Sequence, residues 1–152
     1  MLVQTNSQIY MMKRLLYLSV AGAIVTFILS VQARPGKKNI DLSKLPPIAT
    51  KTGVTYATDI KPIFDQSCVK CHSGEKPKGK LRMDTLDNIL KGGSDGKVVE
   101  PGNSAASILV HNISHVGDED DYMPPPNNKA GIGPLTKDQI SLIRAWIEQG
   151  AK

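Results

Sequence analysis

Aromatic residues are scarce in this chain. They make up 5% of 152 residues, with two Phe, one Trp and four Tyr. Phe27 lies in an N-terminal apolar run, so Phe64 and Trp146 are the only Phe and Trp left to build a core. Large rings dominate the filling of most domain interiors, and here something else must supply that bulk. Cysteine is scarcer still. Cys68 and Cys71 are the only two, which excludes a framework of several disulfides and a four-cysteine zinc site. No segment alternates apolar and polar residues as a strand does, and no internal repeat is found. No basic run is interleaved with aromatics, so nucleic acid is not an expected partner.

The two cysteines present are placed informatively. Cys68-Val69-Lys70-Cys71-His72 sets two thiols three positions apart and an imidazole directly after them. This is the spacing for covalent attachment of a c-type haem. One turn of helix puts both sulfurs where they can add to two vinyl groups of one porphyrin. His72 then offers its ring to the iron from the same side, as proximal ligand. One haem c, covalently bound through Cys68 and Cys71, is the expected cofactor, and it would supply the missing apolar bulk. Zinc is the serious alternative, since Cys68, Cys71, His111 and His115 have Cys2His2 composition. A redox dithiol is a weaker one, because no strand-to-helix junction surrounds the motif.

The N-terminus reads as an export signal. Met12-Lys13-Arg14 is a short basic region, and the 17 residues from Leu15 to Val31 carry no charge. A small residue, Ala33, then stands at the end of the run. Residues 1–33 are therefore expected to be a signal peptide, with an uncleaved membrane anchor as the alternative. Membrane contact is expected only through such an uncleaved segment. The predicted location is periplasmic or otherwise extracytoplasmic. Thiols there tend to oxidise, and thioether formation consumes them. Lys13 and Arg14 leave with the signal, so 17 basic residues face 14 acidic ones and the net charge falls from +5 to +3.

The remaining 119 residues suit one domain. Residues 34–54 are polar and proline-rich and read as a flexible linker, or as a segment that wraps the domain. Residues 55–152 are the expected all-α domain. Its first helix should start near Asp59 with Thr58 as cap and Pro62 in the first turn. A short helix near Thr85–Lys91 should stop at Gly92-Gly93. Ser104 is the expected cap of a third helix through Ile108, Leu109 and Ile113. Residues 116–134 should be irregular. The last helix is the clearest, with a capping box at Thr136 and Gln139 and an apolar face of Ile140, Ile143, Trp146 and Ile147. The terminal helices should cross, with Phe64 against Trp146.

Four side chains are candidates for a second axial ligand: Met83, Met123, His111 and His115. Met123 is the best placed, 51 residues after His72 in a loop stiffened by Pro124-Pro125-Pro126. Met83 reads as packing. His111 and His115 lie four apart on one helix face and read as half-buried or surface residues. The other ring nitrogen of His72 should donate to a backbone carbonyl, with Pro77 the expected acceptor. Arg82 is expected to be exposed, or to pair with a haem propionate. Asp118 to Asp121 reads as a solvated acidic run, with calcium binding the alternative.

These residues together resemble a monohaem c-type cytochrome, and more narrowly the planctomycete-type cytochrome c domain. The carrying segments are Asp59 to Phe64, Cys68 to His72, Leu81 to Asp84, Gly92-Gly93, Pro101-Gly102 with Ser107 to Leu109, Met123-Pro124-Pro125, and Leu135 through Ala151. The resemblance implies the class I cytochrome c fold around one covalently bound haem, with His72 and Met123 as the axial pair. It implies single-electron transfer and no enzymatic reaction. A five-coordinate haem domain with a catalytic or ligand-sensing role is the alternative, beside the zinc-stabilised interaction module. The expected partners are redox proteins, acidic if Lys70, Lys76, Lys78 and Lys80 ring the haem edge. A monomer is expected.

Overall fold

The computed structural model describes residues 40–152. The expected signal peptide and the first part of the linker lie outside the described residues. Among the described residues the secondary structure is helical, without a strand; one isolated bridge pairs Gly93 with Gly96. The helices are α1 Lys61–Ser67, α2 Leu86–Lys91, α3 Ile108–Ile113 and α4 Lys137–Glu148. No helix among these residues is long and apolar enough to cross a membrane.

Helix α1 begins differently from its expected start at Asp59. One wide turn of π type, Tyr56–Ile60, precedes it, closed by the Lys61 N–H on the Tyr56 carbonyl. Thr55, not Thr58, is the cap: its hydroxyl accepts from the Thr58 N–H at 3.4 Å. The Asp59 carboxylate returns the favour, accepting from the Thr55 N–H at 2.9 Å. Pro62 accounts for the shift. It has no N–H for the carbonyl four residues back, and its ring crowds that carbonyl, so the preceding turn widens. Within α1 itself Pro62 sits in the first turn, where no donor is missed.

Helix α4 has the predicted form. Thr136 and Gln139 make a reciprocal capping box at 3.2 and 2.9 Å. Ile140, Ile143, Trp146 and Ile147 are buried along it. Phe64 of α1 meets Trp146 edge to face, with centroids 6.2 Å apart and planes at 82°. Tyr56 completes the cluster, 6.2 Å from Trp146 and 6.5 Å from Phe64. The Lys152 carbonyl ties two of these residues together. It accepts from the Tyr56 N–H at 2.9 Å and from the Trp146 indole N–H at 3.0 Å.

Helix α2 is stopped by Gly92 at φ +85°, as the sequence predicted, and Thr85 is its cap. Before α3 the prediction needs correcting. Ser107, not Ser104, stands at the N-cap of α3, without a side-chain hydrogen bond, and Asn103 caps the separate short turn Ser104–Ala106, its side-chain oxygen accepting from the Ala106 N–H at 3.0 Å. That frees Ser104 to be fully buried against α4. Its N–H donates to the Glu148 carboxylate at 2.9 Å and its hydroxyl accepts from Arg144 Nε at 3.1 Å. Residues 116–134 hold one short turn, Glu119–Asp121, and are otherwise irregular.

Residues 40–54 lie along α4. The Ala49 N–H donates to the Ser141 carbonyl at 3.1 Å, and the Val54 N–H to Gln149 Oε1 at 3.1 Å. Gln149 Nε2 donates to the Lys51 carbonyl at 2.9 Å, and the Arg144 guanidinium to the Pro46 carbonyl. This is the wrapped arrangement, held by backbone groups that composition alone does not reveal.

Phe64→Ala should lower stability by about 3–5 kcal/mol, the usual range for a buried ring, while Phe64→Leu should cost under about half of that. Urea unfolding of the two variants against the parent protein checks the order and the size.

Candidate cofactor site

The cysteine motif grows from the end of α1. The Cys68 N–H makes a 2.8 Å bond to the Phe64 carbonyl. The Cys71 and His72 N–H groups then both turn back to the Cys68 carbonyl, at 3.1 and 3.0 Å. All three side chains are therefore carried on one tight turn. Cys68 is buried, Cys71 is half-buried, and neither is in a disulfide. Burial pushes the Cys68 thiol up to about 12, and the neighbouring Cys71 adds to the shift.

His72 is fixed from two directions. Its carbonyl accepts from the Met83 N–H at 2.8 Å. Its Nδ1 lies 3.3 Å from the Leu81 carbonyl. Pro77 was the expected acceptor, and that expectation is corrected. The Pro77 carbonyl takes the Lys80 N–H at 3.0 Å, across a turn whose Gly79 has φ +60°. With Nδ1 donating to Leu81, the free lone pair of the imidazole sits on Nε2.

A cavity of about 800 Å³ opens beside this turn. Cys68, Cys71, His72 and Met123 all line it, with Leu109 and Leu135 among its apolar walls. Its size lies within the range of about 300–1,000 Å³ that buries most of a small organic ligand. Met123 is half-buried, and its N–H is tied to the Asn112 carbonyl at the end of α3 at 3.0 Å. Met83 is 2% exposed and also borders the cavity. The sequence reading gave Met83 to packing alone. Its amide bond to His72 is what brings it here, and no local pattern signals that bond.

The two other candidate ligands are elsewhere. His111 is buried, with Nε2 2.7 Å from the Ala105 carbonyl, and His115 stacks on Tyr122. Neither lines the cavity. Among the described residues no group of three or more His, Cys, Asp or Glu side chains is placed to hold a metal. The Cys2His2 set of Cys68, Cys71, His111 and His115 is thus not assembled, because α3 directs His111 toward the turn at Ser104–Ala106. The Asp118–Asp121 run forms no such group either.

Arg82 is exposed and pairs with the Asp84 carboxylate. That guanidinium, with Asn88 Nδ2 at 3.0 Å, holds Asp84 at about 2. Two glycines shape the wall beyond. A Cβ at Gly93 would come within 2.6 Å of the Gly79 carbonyl, and one at Gly92 within 2.2 Å of the Gly96 carbonyl. The Ser94 N–H and hydroxyl both donate to that same Gly79 carbonyl, at 2.8 and 2.9 Å. The sequence shows Gly92-Gly93 as a helix stop, and their role in bringing two loops together is visible only in the fold.

A large, flat, mostly apolar group suits these residues: a cavity of the right order, two thiols and an imidazole on one wall, a thioether bordering the same space. Comparison with known families agrees. Residues 68–127 match the family model described as Planctomycete cytochrome C, a finding consistent with a c-type cytochrome domain. The matched segment contains Cys68, Cys71, His72 and Met123. Such a match points to a haem-binding electron carrier. No curated protein and no solved structure matches the chain.

Gly93→Ala should force the Gly79 loop outward and reduce the yield of cofactor-loaded protein, read as visible absorbance per unit of polypeptide. The Asp84 carboxyl, lowered from 3.8 to about 2, stabilises the fold above pH 3.8 and loses that contribution as pH falls toward 2. Asp84→Asn should therefore be less stable than the parent at neutral pH, with the gap closing across that acid window in a pH series of thermal melts.

Proposed function

We propose that this chain is an exported c-type haem protein that carries single electrons, with one haem bound through thioethers to Cys68 and Cys71. His72 and Met123 are its axial ligands in this reading, and α1 and α4 are the crossing terminal helices of a class I cytochrome-like fold. One observation carries it: two thiols, an imidazole and a thioether line one apolar cavity, inside the segment that matches a cytochrome c family. When bound, haem supplies a one-electron couple whose potential is set by axial ligands, burial and hydrogen bonding.

The chain's own residues do the rest. The Leu81 carbonyl orients the His72 ring through Nδ1, as an outer partner does for a ligating imidazole. The Asn112 carbonyl anchors the backbone of Met123. Leu109 and Leu135 keep water from the buried face of the site. Held by these ties, His72 and Met123 would have little freedom to move when haem is bound. No substrate is transformed, and the role is transport.

Of the four lysines expected at the haem edge, Lys76 and Lys80 do not border the cavity, while exposed Lys70 and Lys78 do, together with Lys97 and Lys129. They favour an acidic redox protein as partner, with docking that weakens as salt rises. Extracytoplasmic residence is part of the proposal and rests on the basic and apolar run at the N-terminus.

The test is expression with the cytochrome maturation machinery. Haem should remain on the polypeptide through acid-acetone extraction and give a pyridine haemochrome of one haem per chain, and Cys68→Ser with Cys71→Ser should abolish that retention. Met123→Ala should lose the thioether-ligated low-spin spectrum and lower the potential. Colourless protein whose two thiols both react with an alkylating reagent would sink the proposal.

A further inference from the structure

The strap that carries Met123 is gripped at a point the cavity does not reach. Helix α3 ends at Ile113, and the chain reverses through His115 at φ +54°. The Val116 N–H reaches back to the His111 carbonyl at 3.0 Å, a closing bond of the kind that usually has glycine at the left-handed position. A histidine there is strained, and such strain persists only where the surroundings impose it. Here the surroundings are the ring of Tyr122. The two rings are parallel to within 1°, with centroids 4.6 Å apart. The Tyr122 hydroxyl donates to the Gly117 carbonyl at 3.2 Å, which fixes the other end of the phenol. His115 Nε2 is buried without a hydrogen-bond partner, so it is the ring face that holds this side chain.

The backbone converges on the same point. The Asn112 carbonyl accepts from the His115 N–H at 3.2 Å and from the Met123 N–H at 3.0 Å. The ring stack therefore closes a loop of chain whose last residue is the thioether. Neither His115 nor Tyr122 lines the cavity, so any influence on the site passes through Met123.

We propose that the His115–Tyr122 stack is a positioning clamp for Met123, holding its thioether toward the cofactor cavity before the sulfur engages iron. The inference rests on the reading of Met123 as axial ligand. Iron–thioether bonds are weak, so the fraction of time the sulfur is engaged depends on how little freedom the strap must give up. A ring of any kind at position 115 performs the task. The histidine nitrogens do not.

Substitution at position 115 separates positioning from general stability. His115→Gly removes the ring and suits the left-handed backbone, so overall stability is kept or raised while the strap is released. His115→Phe keeps the ring and removes the unpaired nitrogen. The experiment is imidazole titration of the ferric, haem-loaded, full-length protein, following loss of the thioether–iron charge-transfer band. His115→Gly should bind imidazole about tenfold more tightly than the parent, the size of a lost ring stack. Its Met123 amide should exchange with solvent faster, and its urea midpoint should not fall. His115→Phe should titrate like the parent. Tyr122→Leu against Tyr122→Phe repeats the comparison from the other ring. The clamp is overturned if His115→Gly and Tyr122→Leu titrate like the parent, or if His115→Phe binds imidazole as tightly as His115→Gly. A Met123→Ala protein with an unaltered spectrum would instead overturn the axial reading itself, and the clamp with it.

Discussion

Phe64 does two jobs at once, and the rest of the structure depends on its doing both. Its ring packs edge-on against Trp146, which holds α1 to α4. Its carbonyl accepts from the amides of Cys68 and Val69 at 2.8 and 3.0 Å. The residue that anchors the core therefore also fixes where the chain leaves the helix. The turn carrying Cys68, Cys71 and His72 inherits its position from that anchor. Loosening the ring contact would move the first thiol, and with it the whole cofactor wall.

The remaining walls have no such regular support. They are loops tied to one another by single carbonyls: His72 to Met83, Gly79 to Ser94, Asn112 to Met123. Each tie joins segments 11 to 15 residues apart. A cavity of about 800 Å³ in a fold with four short helices needs this kind of construction, because helices alone leave too few faces to surround it. Cofactor contacts would then add apolar packing that Phe64 and Trp146 cannot provide alone. The scarcity of aromatic residues and the size of the cavity are two sides of one fact.

Much of this was legible beforehand where the signal is local. The cysteine motif, the capping box at Thr136 and the stop at Gly92 follow from spacing within one or two turns, and the Phe64–Trp146 pair from the apolar faces of the two terminal helices. What escaped was settled at a distance. Thr55 caps the first turn because Pro62, seven residues on, forbids the simpler start. Ser104 surrendered its capping role because α4 offered Arg144 and Glu148, 40 and 44 residues away. Leu81 displaced Pro77 beside His72 because the turn at Gly79 had already used the Pro77 oxygen. Met83 was read as core filler, and it is core filler that also borders the cavity. The rule in each case is the same: a polar group's partner is set by which competitors are already satisfied, and a linear pattern does not carry that information.

The hydrogen bond from the Tyr56 amide to the Lys152 carbonyl, at 2.9 Å, brings the first turn of the domain beside residue 152. A stretch of chain whose first turn and residue 152 meet in this way is topologically close to a ring. A short peptide could join them, and the chain could be reopened at the exposed Gly74–Lys76 bend without parting α1 from α4. Such a circular permutant would keep Cys68 and Met123 on their present supports. The same closeness would let the domain be spliced into a host loop through two adjacent attachment points.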